Sequence, residues 1–122
     1  MKLTRVYSGE DGESHFDEVE VPLRDLGAIG AMSELVSGHG VIFRTTGGDY
    51  DLDFHTAPRR QLVVMLSGGG VELEVGDGTT RRLYAGDVLL AEDTEGRGHI
   101  SRAIDGEARV SLFLPLAEDA LR

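Results

Sequence analysis

The stretch VELEVGDGTTRRLY, residues 71–84, decides the fold class of this chain. Residues 71–75 alternate valine or leucine with glutamate, which is the period of a strand with one buried face. Gly-Asp-Gly at 76–78 is a turn signal, and residues 80–84 resume as a return strand. The stretch therefore predicts a β-hairpin.

Short strand patterns recur along the rest of the chain, at residues 4–7, 16–21, 41–44, 88–91, 99–104 and 109–114. We expect the last two to form a hairpin around Asp105-Gly106, and residues 23–36 to form a loop with a helical turn. Many short strands, 17 glycines and little helix predict an all-β sandwich or barrel.

The run Leu62 to Leu66 is apolar on both faces. A strand of this kind is buried on both sides. We expect one face to line the interior, and the other to meet a second sheet or a second subunit.

Composition limits the classes of function. At 122 residues the chain has the size of a single domain, 1–122, and it has no cysteine for disulfides or thiolate chemistry. The net charge of −10 argues against nucleic-acid partners, because binding to phosphates requires clustered Lys and Arg. No apolar run is long enough to span a bilayer, so we expect no membrane association and a cytoplasmic location.

A candidate site lies in Gly48-Asp49-Tyr50-Asp51-Leu52-Asp53-Phe54-His55. Side chains alternate faces along a strand, so Asp53 and His55 are expected on the same side, roughly 7 Å apart. Two such groups can converge on one bound object.

The spacing of this segment resembles the first motif of the cupin superfamily, a glycine, an HxH pair, a glutamate and a second glycine. His55 matches the second histidine and Gly68 the closing glycine, whereas Asp53 replaces the first histidine and Gln61 the glutamate. Residues 86–93 resemble the second motif, with His99 as its histidine after two extra residues. The resemblance implies a cupin-type double-stranded β-helix (jelly-roll) barrel with little helix, and a barrel core at about residues 40–116.

The resemblance also implies that Asp53, His55, Gln61 and His99 cluster near one barrel mouth. Two imidazoles, a carboxylate and an amide oxygen are donors for one divalent transition metal, Fe, Mn, Ni, Co or Zn. No organic cofactor is indicated. Without a metal, Asp53 would be a general base with His55 as its proton-sharing partner.

Arg44 and Met65 are the candidate substrate-binding residues. Arg44 would orient an anionic substrate if its strand turns it inward, and it would be an ordinary surface charge if not. Met65 shares its strand face with Gln61, so the two are expected to line the interior together.

Two hypotheses for function follow from the resemblance. The first is a small metal-dependent cupin enzyme that catalyses non-oxidative chemistry, isomerisation, dehydration, cyclisation or lysis, on a small oxygenated metabolite. The second is a ligand-binding or sensory cupin without turnover, and a dioxygenase is a weaker third. The expected partners are a small molecule and, because cupins commonly pair through strands, a second copy in a homodimer.

Overall fold

The computed structural model of the chain describes residues 1–122 and is almost entirely β-structure, with no α-helix. Its only helical segment is a 3-10 turn at Gly27–Ile29, within the region where a helical turn was predicted. The twelve strands, in chain order, are β1 Lys2–Ser8, β2 Ser14–Glu20, β3 Arg24–Asp25, β4 Ala31–Met32, β5 Ile42–Thr46, β6 Asp51–His55, β7 Gln61–Gly68, β8 Val71–Glu74, β9 Thr80–Leu83, β10 Val88–Glu92, β11 His99–Ala103 and β12 Arg109–Pro115.

Two main sheets pack face to face. One has six strands in the order β2-β1-β10-β7-β12-β5, and the other has four in the order β6-β11-β8-β9, while β3 and β4 form a separate ribbon. The main core joins side chains from both sheets, among them Val6, Met65 and Leu89 from the first, and Leu73 and Leu83 from the second. The all-β prediction is confirmed, and the hydrogen-bonded strands do not close into one continuous barrel.

Hairpin predictions had mixed outcomes. The hairpin at residues 71–84 is confirmed, since β8 and β9 pair antiparallel across the Gly76–Gly78 turn. The predicted last hairpin is wrong, because β11 pairs with β6 and β8 whereas β12 pairs with β7 and β5. The turn at Asp105-Gly106, where both residues have positive φ, instead carries the chain from one sheet to the other.

Glu92, through Arg60, holds the C-terminal segment, residues 117–122, against the six-stranded sheet. Its two carboxylate oxygens accept hydrogen bonds of 2.6 Å from Arg5 Nε and Arg60 Nε. Arg60 also donates to the backbone carbonyls of residues 117, 118 and 120. The segment covers Leu90, which is fully buried beneath Leu116.

The prediction that the run Leu62 to Leu66 is buried on both faces holds for the inner face of β7 and only in part for the outer face. Val63 and Met65 face the space between the sheets. On the outer face, Leu62 packs under the C-terminal segment, whereas Leu66 is 48% exposed. No helix of the structure has the length and apolar character needed to cross a bilayer.

Gly98 allows the start of β11 to approach the end of β6. Its φ is +81°, and a Cβ added there would overlap the carbonyl oxygen of His55. The close approach of these two strand ends therefore requires a glycine at this position.

We expect Gly98→Ala to destabilise the protein more than Gly78→Ala does. Both glycines have positive φ, +81° and +87°, so both substitutions incur the left-handed strain of about 1–2 kcal/mol, but a Cβ added at Gly78 would meet no atom within 4 Å. The overlap of the new Cβ with the carbonyl oxygen of His55 should lower the free energy of unfolding of Gly98→Ala by about 1–3 kcal/mol in addition. Urea unfolding of the two variants measures the difference, and equal losses would contradict the close-approach explanation.

Candidate functional site

A cavity of about 220 Å3 lies between the two main sheets. Its floor is apolar, and its polar side chains come from strands β5, β6, β7, β11 and β12 and from the turn before β6, so that both sheets contribute. The apolar lining includes Val63, Met65, Val71, Leu73, Leu83 and Leu89, and the polar lining includes Arg44, Tyr50, His55, Gln61, His99, Ser101, Arg109 and Ser111. A cavity of this size suits a small metabolite.

His55 and His99 stand opposite each other on the paired strands β6 and β11. Their ring centroids are 4.6 Å apart, with the ring planes inclined at 56°. Both imidazoles line the cavity, and His99 is buried. The two imidazole rings therefore border the same small cavity.

Asp93 orients His99 from behind. Its carboxylate is fully buried, and Oδ2 lies 2.5 Å from His99 Nδ1 and 2.7 Å from Ser14 Oγ. The hydroxyl of Ser14 and the Nδ1–H of His99 both donate to this oxygen. With Nδ1 engaged in this way, Nε2 is the ring nitrogen of His99 that remains available to a ligand.

His55 is held as a neutral imidazole. Its Nδ1 donates to the backbone carbonyl of Asp53 at 2.8 Å, which also leaves Nε2 as the free nitrogen. Burial lowers the pKa of His55 below its ordinary value of 6.5, and the nearby His99 acts in the same direction, against the bond to the Asp53 carbonyl. At neutral pH His55 Nε2 is therefore a hydrogen-bond acceptor.

The prediction that Asp53 shares a face with His55 is wrong. His99 pairs with His55 and Ser101 with Leu52, so three residue steps on β6 oppose two on β11. This β-bulge breaks the alternation and turns Leu52 and His55, instead of Asp53 and His55, toward the cavity. Asp53 is exposed, and its carboxylate accepts a bond from the backbone N–H of Phe54.

The other candidate residues line the same cavity. Gln61 and Met65 are buried, and Arg44 turns inward from β5, which is the orientation required for contact with a substrate. Gln61 Oε1 accepts a hydrogen bond of 3.1 Å from Arg59. Strand β7, which carries Gln61, lies in the sheet opposite β6, so Gln61 reaches the cavity from the other layer of the fold.

The donors at the cavity do not fit the predicted four-ligand metal centre. Asp53 lies outside, Gln61 Oε1 already accepts from a guanidinium, and no group of three His, Cys, Asp or Glu side chains is placed to hold a metal ion. Catalytic metal centres of the zinc type use three protein ligands. Two imidazoles next to the cationic Arg44 fall short of that set.

Sequence reasoning did not select four residues that line the cavity or support its histidines, namely Tyr50, Asp93, Ser101 and Arg109. Asp93 follows the apolar strand β10, six residues before His99, and this acid after a buried strand was an available signal. Ser101 shares a strand face with His99 and bonds Tyr50 Oη at 2.7 Å. Arg109 begins a strand that pairs with both β5 and β7, and its inward direction depends on that pairing.

Comparisons with known proteins do not identify a family for this chain. No protein-family model matches the chain, and no curated protein matches it. Among solved structures, the chain is similar to the crystal structure of protein NMB1881 from Neisseria meningitidis, with a TM-score of 0.49 and 17% identity. That alignment covers 67% of this chain and 80% of the other.

We expect the NMR-detected pKa of His55 to lie below 6.5, with its signal assigned through a His55→Gln variant. The unfolded chain takes up a proton near pH 6.5 that the folded chain binds only at lower pH. Stability from this residue is therefore present above about pH 6.5 and is lost as the pH falls below it. Urea unfolding at about pH 7.5 and about pH 5.5 should show a larger loss for the wild type than for His55→Gln. A pKa at or above 6.5 would contradict the assignment.

Proposed function

We propose that this chain is a cupin-type protein that catalyses non-oxidative proton transfer on a small oxygenated metabolite, with His99 as the base and Asp93 as its positioning residue. The observation that carries the proposal is the buried hydrogen bond of 2.5 Å between Asp93 and His99 at the wall of a small cavity. The two facing sheets around that cavity, and the presence of His55, Gln61 and His99 in its lining, support the jelly-roll assignment.

The mechanism uses protein groups only. His99 Nε2 removes a proton from a C–H or O–H group of the substrate, and the charge that develops on the imidazole is stabilised by the Asp93 carboxylate. Return of that proton to a different atom gives an isomerisation, and its transfer to a leaving hydroxyl gives a dehydration. The neutral His55 accepts a hydrogen bond from the substrate through Nε2 and so fixes which proton faces His99.

The environment of the pair favours this chemistry. Burial of Asp93 and His99 keeps bulk water away from the pair, which strengthens the electrostatic interaction between them. The bond from Ser14 fixes the carboxylate itself, so both the ring and its partner are held before a substrate arrives. General acid–base groups arranged in this way typically contribute about 10²–10⁴-fold to a rate.

Proton transfer can be tested before the natural substrate is identified. The protein is incubated in D2O with a panel of 2-oxo acids, 3-oxo acids, 2-hydroxy acids and matched neutral ketones, and NMR follows deuterium entering their C–H positions. We expect exchange in at least one member, unaffected by a chelator. Asp93→Asn and His99→Gln should slow it by about 10²–10⁴-fold, whereas His15→Gln, at a half-exposed histidine outside the cavity, should not. Exchange that survives His99→Gln, or that a chelator abolishes, would contradict the mechanism.

Ligand binding without turnover is the second candidate function. It is favoured by the small volume and largely apolar lining of the cavity, which suit retention of a ligand. A compound that raises the thermal midpoint of unfolding, yet shows neither exchange nor conversion, would support this function over the first.

The homodimer stays a prediction, and the outer face of the six-stranded sheet supports it. Val88, Val64, Leu112 and Phe43 lie directly across from one another on four adjacent strands, and Phe43 is 81% exposed. This row is uncharged in a chain with a net charge of −10, so copies can approach there with least repulsion.

Sedimentation at micromolar concentration should show a species of twice 13.2 kDa. Phe43→Glu should shift it toward the monomer, because a carboxylate would be buried in the interface. Leu35→Glu, on an exposed side chain away from this row, is the matched control. A wild-type monomer would contradict the prediction.

A further inference from the structure

Two arginines in the cavity have no carboxylate partner. The chain has 22 acidic and 12 basic side chains, yet none of its salt bridges includes Arg44 or Arg109. Other arginines of low exposure are paired, as Arg60 is with Glu92. In a protein with an excess of carboxylates, two cavity arginines without such a partner indicate that their charges serve another interaction.

Arg109 is the arginine whose burial destabilises the ligand-free protein more. It is only 6% exposed, and its Nη1 is buried without a hydrogen-bond partner. Burial lowers the pKa of Arg109, Tyr50 acts against that effect, and the like charge of Arg44 adds to it. Leaving a guanidinium donor unpaired in a low-dielectric site is destabilising unless a ligand supplies the acceptor.

Arg44 and Arg109 lie on the same face of the paired strands β5 and β12, because Arg109 pairs with Thr46, two residues from Arg44. Both guanidinium groups lie against the ring of Tyr50. The Cζ atoms of Arg109 and Arg44 lie 4.8 Å and 5.4 Å from the centroid of that ring. The Tyr50 hydroxyl is hydrogen-bonded to Ser101 Oγ, on the strand that also carries His99. The arginine pair and the histidine pair are thus built into the walls of one cavity.

We propose that Arg109 and Arg44 bind the carboxylate of a small monocarboxylic acid, whose apolar or oxygenated body then lies over the floor of the cavity, within reach of His99. The inference deepens the proposed function, on which the role of His99 depends. The binding of the carboxylate depends only on the two arginines.

The chemistry of the cavity selects a carboxylate among anions. A planar carboxylate matches the fork of a guanidinium and can accept from two arginines at once. The remaining lining is mostly apolar, and a volume of about 220 Å3 leaves room for a body of a few carbon atoms. A phosphate dianion would bring a second charge into surroundings that offer it few further donors.

Thermal unfolding with simple probes tests the site without the natural substrate. Butyrate and benzoate at millimolar concentration should raise the unfolding midpoint of the wild type, whereas butyramide, benzamide and inorganic phosphate should not. Arg109→Met and Arg44→Met should each weaken butyrate binding roughly tenfold to a hundredfold, the usual effect of losing a charged hydrogen bond. The midpoint of ligand-free Arg109→Met should equal or exceed that of the wild type, because a buried unpaired charge is replaced by an apolar side chain.

Arg60→Met is the matched control. Arg60 is also of low exposure, but it is paired with Glu92 and lies outside the cavity lining. Its loss should lower the ligand-free midpoint and leave the shift with butyrate intact. A ligand-free Arg109→Met as destabilised as Arg60→Met would instead assign Arg109 a structural role and overturn the proposal.

The other outcomes are equally decisive. Equal shifts with acids and amides, shifts with phosphate alone, or no shift with any carboxylate would each overturn the carboxylate site. Carboxylate binding that requires Arg109, without deuterium exchange in any bound acid, would support this site while the proposed catalysis fails. Exchange confined to neutral ketones and unaffected by Arg109→Met would overturn this site while the proposed catalysis stands.

Discussion

The buried carboxylate of Asp93 is the constraint on which the site depends. Asp93 directly follows β10 of the six-stranded sheet. Its carboxylate accepts hydrogen bonds from Ser14 on β2 of the same sheet and from His99 on β11 of the opposite sheet. One oxygen thus links both layers of the fold and sets the tautomer of His99. Removal of the carboxylate would leave two buried donors unpaired, so packing and chemistry would suffer together.

The rest of the site is arranged around that link. Gly98 lets β11 start against the end of β6, which places His99 opposite His55. The bulge in the same strand pair turns His55 inward and Asp53 outward. The result is a pair of imidazoles whose Nδ1 atoms are both engaged and whose Nε2 atoms remain for a ligand.

The charge of the cavity is opposite in sign to the net charge of the chain. The chain has a net charge of −10, yet its cavity contains two arginines without carboxylate partners. Such a cavity lowers stability in the absence of a ligand, and functional sites commonly carry a cost of this kind. The acidic exterior and the cationic interior are consistent with a pocket that takes an anion by specific contacts.

The sequence by itself determined the all-β class, the hairpin at residues 71–84, and the membership of His55, Gln61, Met65 and His99 in one cavity. The class and the hairpin follow from side-chain period and turn residues, which are local properties of the chain, whereas the shared cavity was what the resemblance to the cupin motifs implied. Only the tertiary structure decided that Asp53 lies outside, that β11 and β12 part into different sheets, and that Asp93, Tyr50 and Arg109 belong to the site. The reason is physical: a bulge arises from the register between two strands, and a buried partner comes from a distant segment, so neither is encoded in the spacing of neighbouring residues.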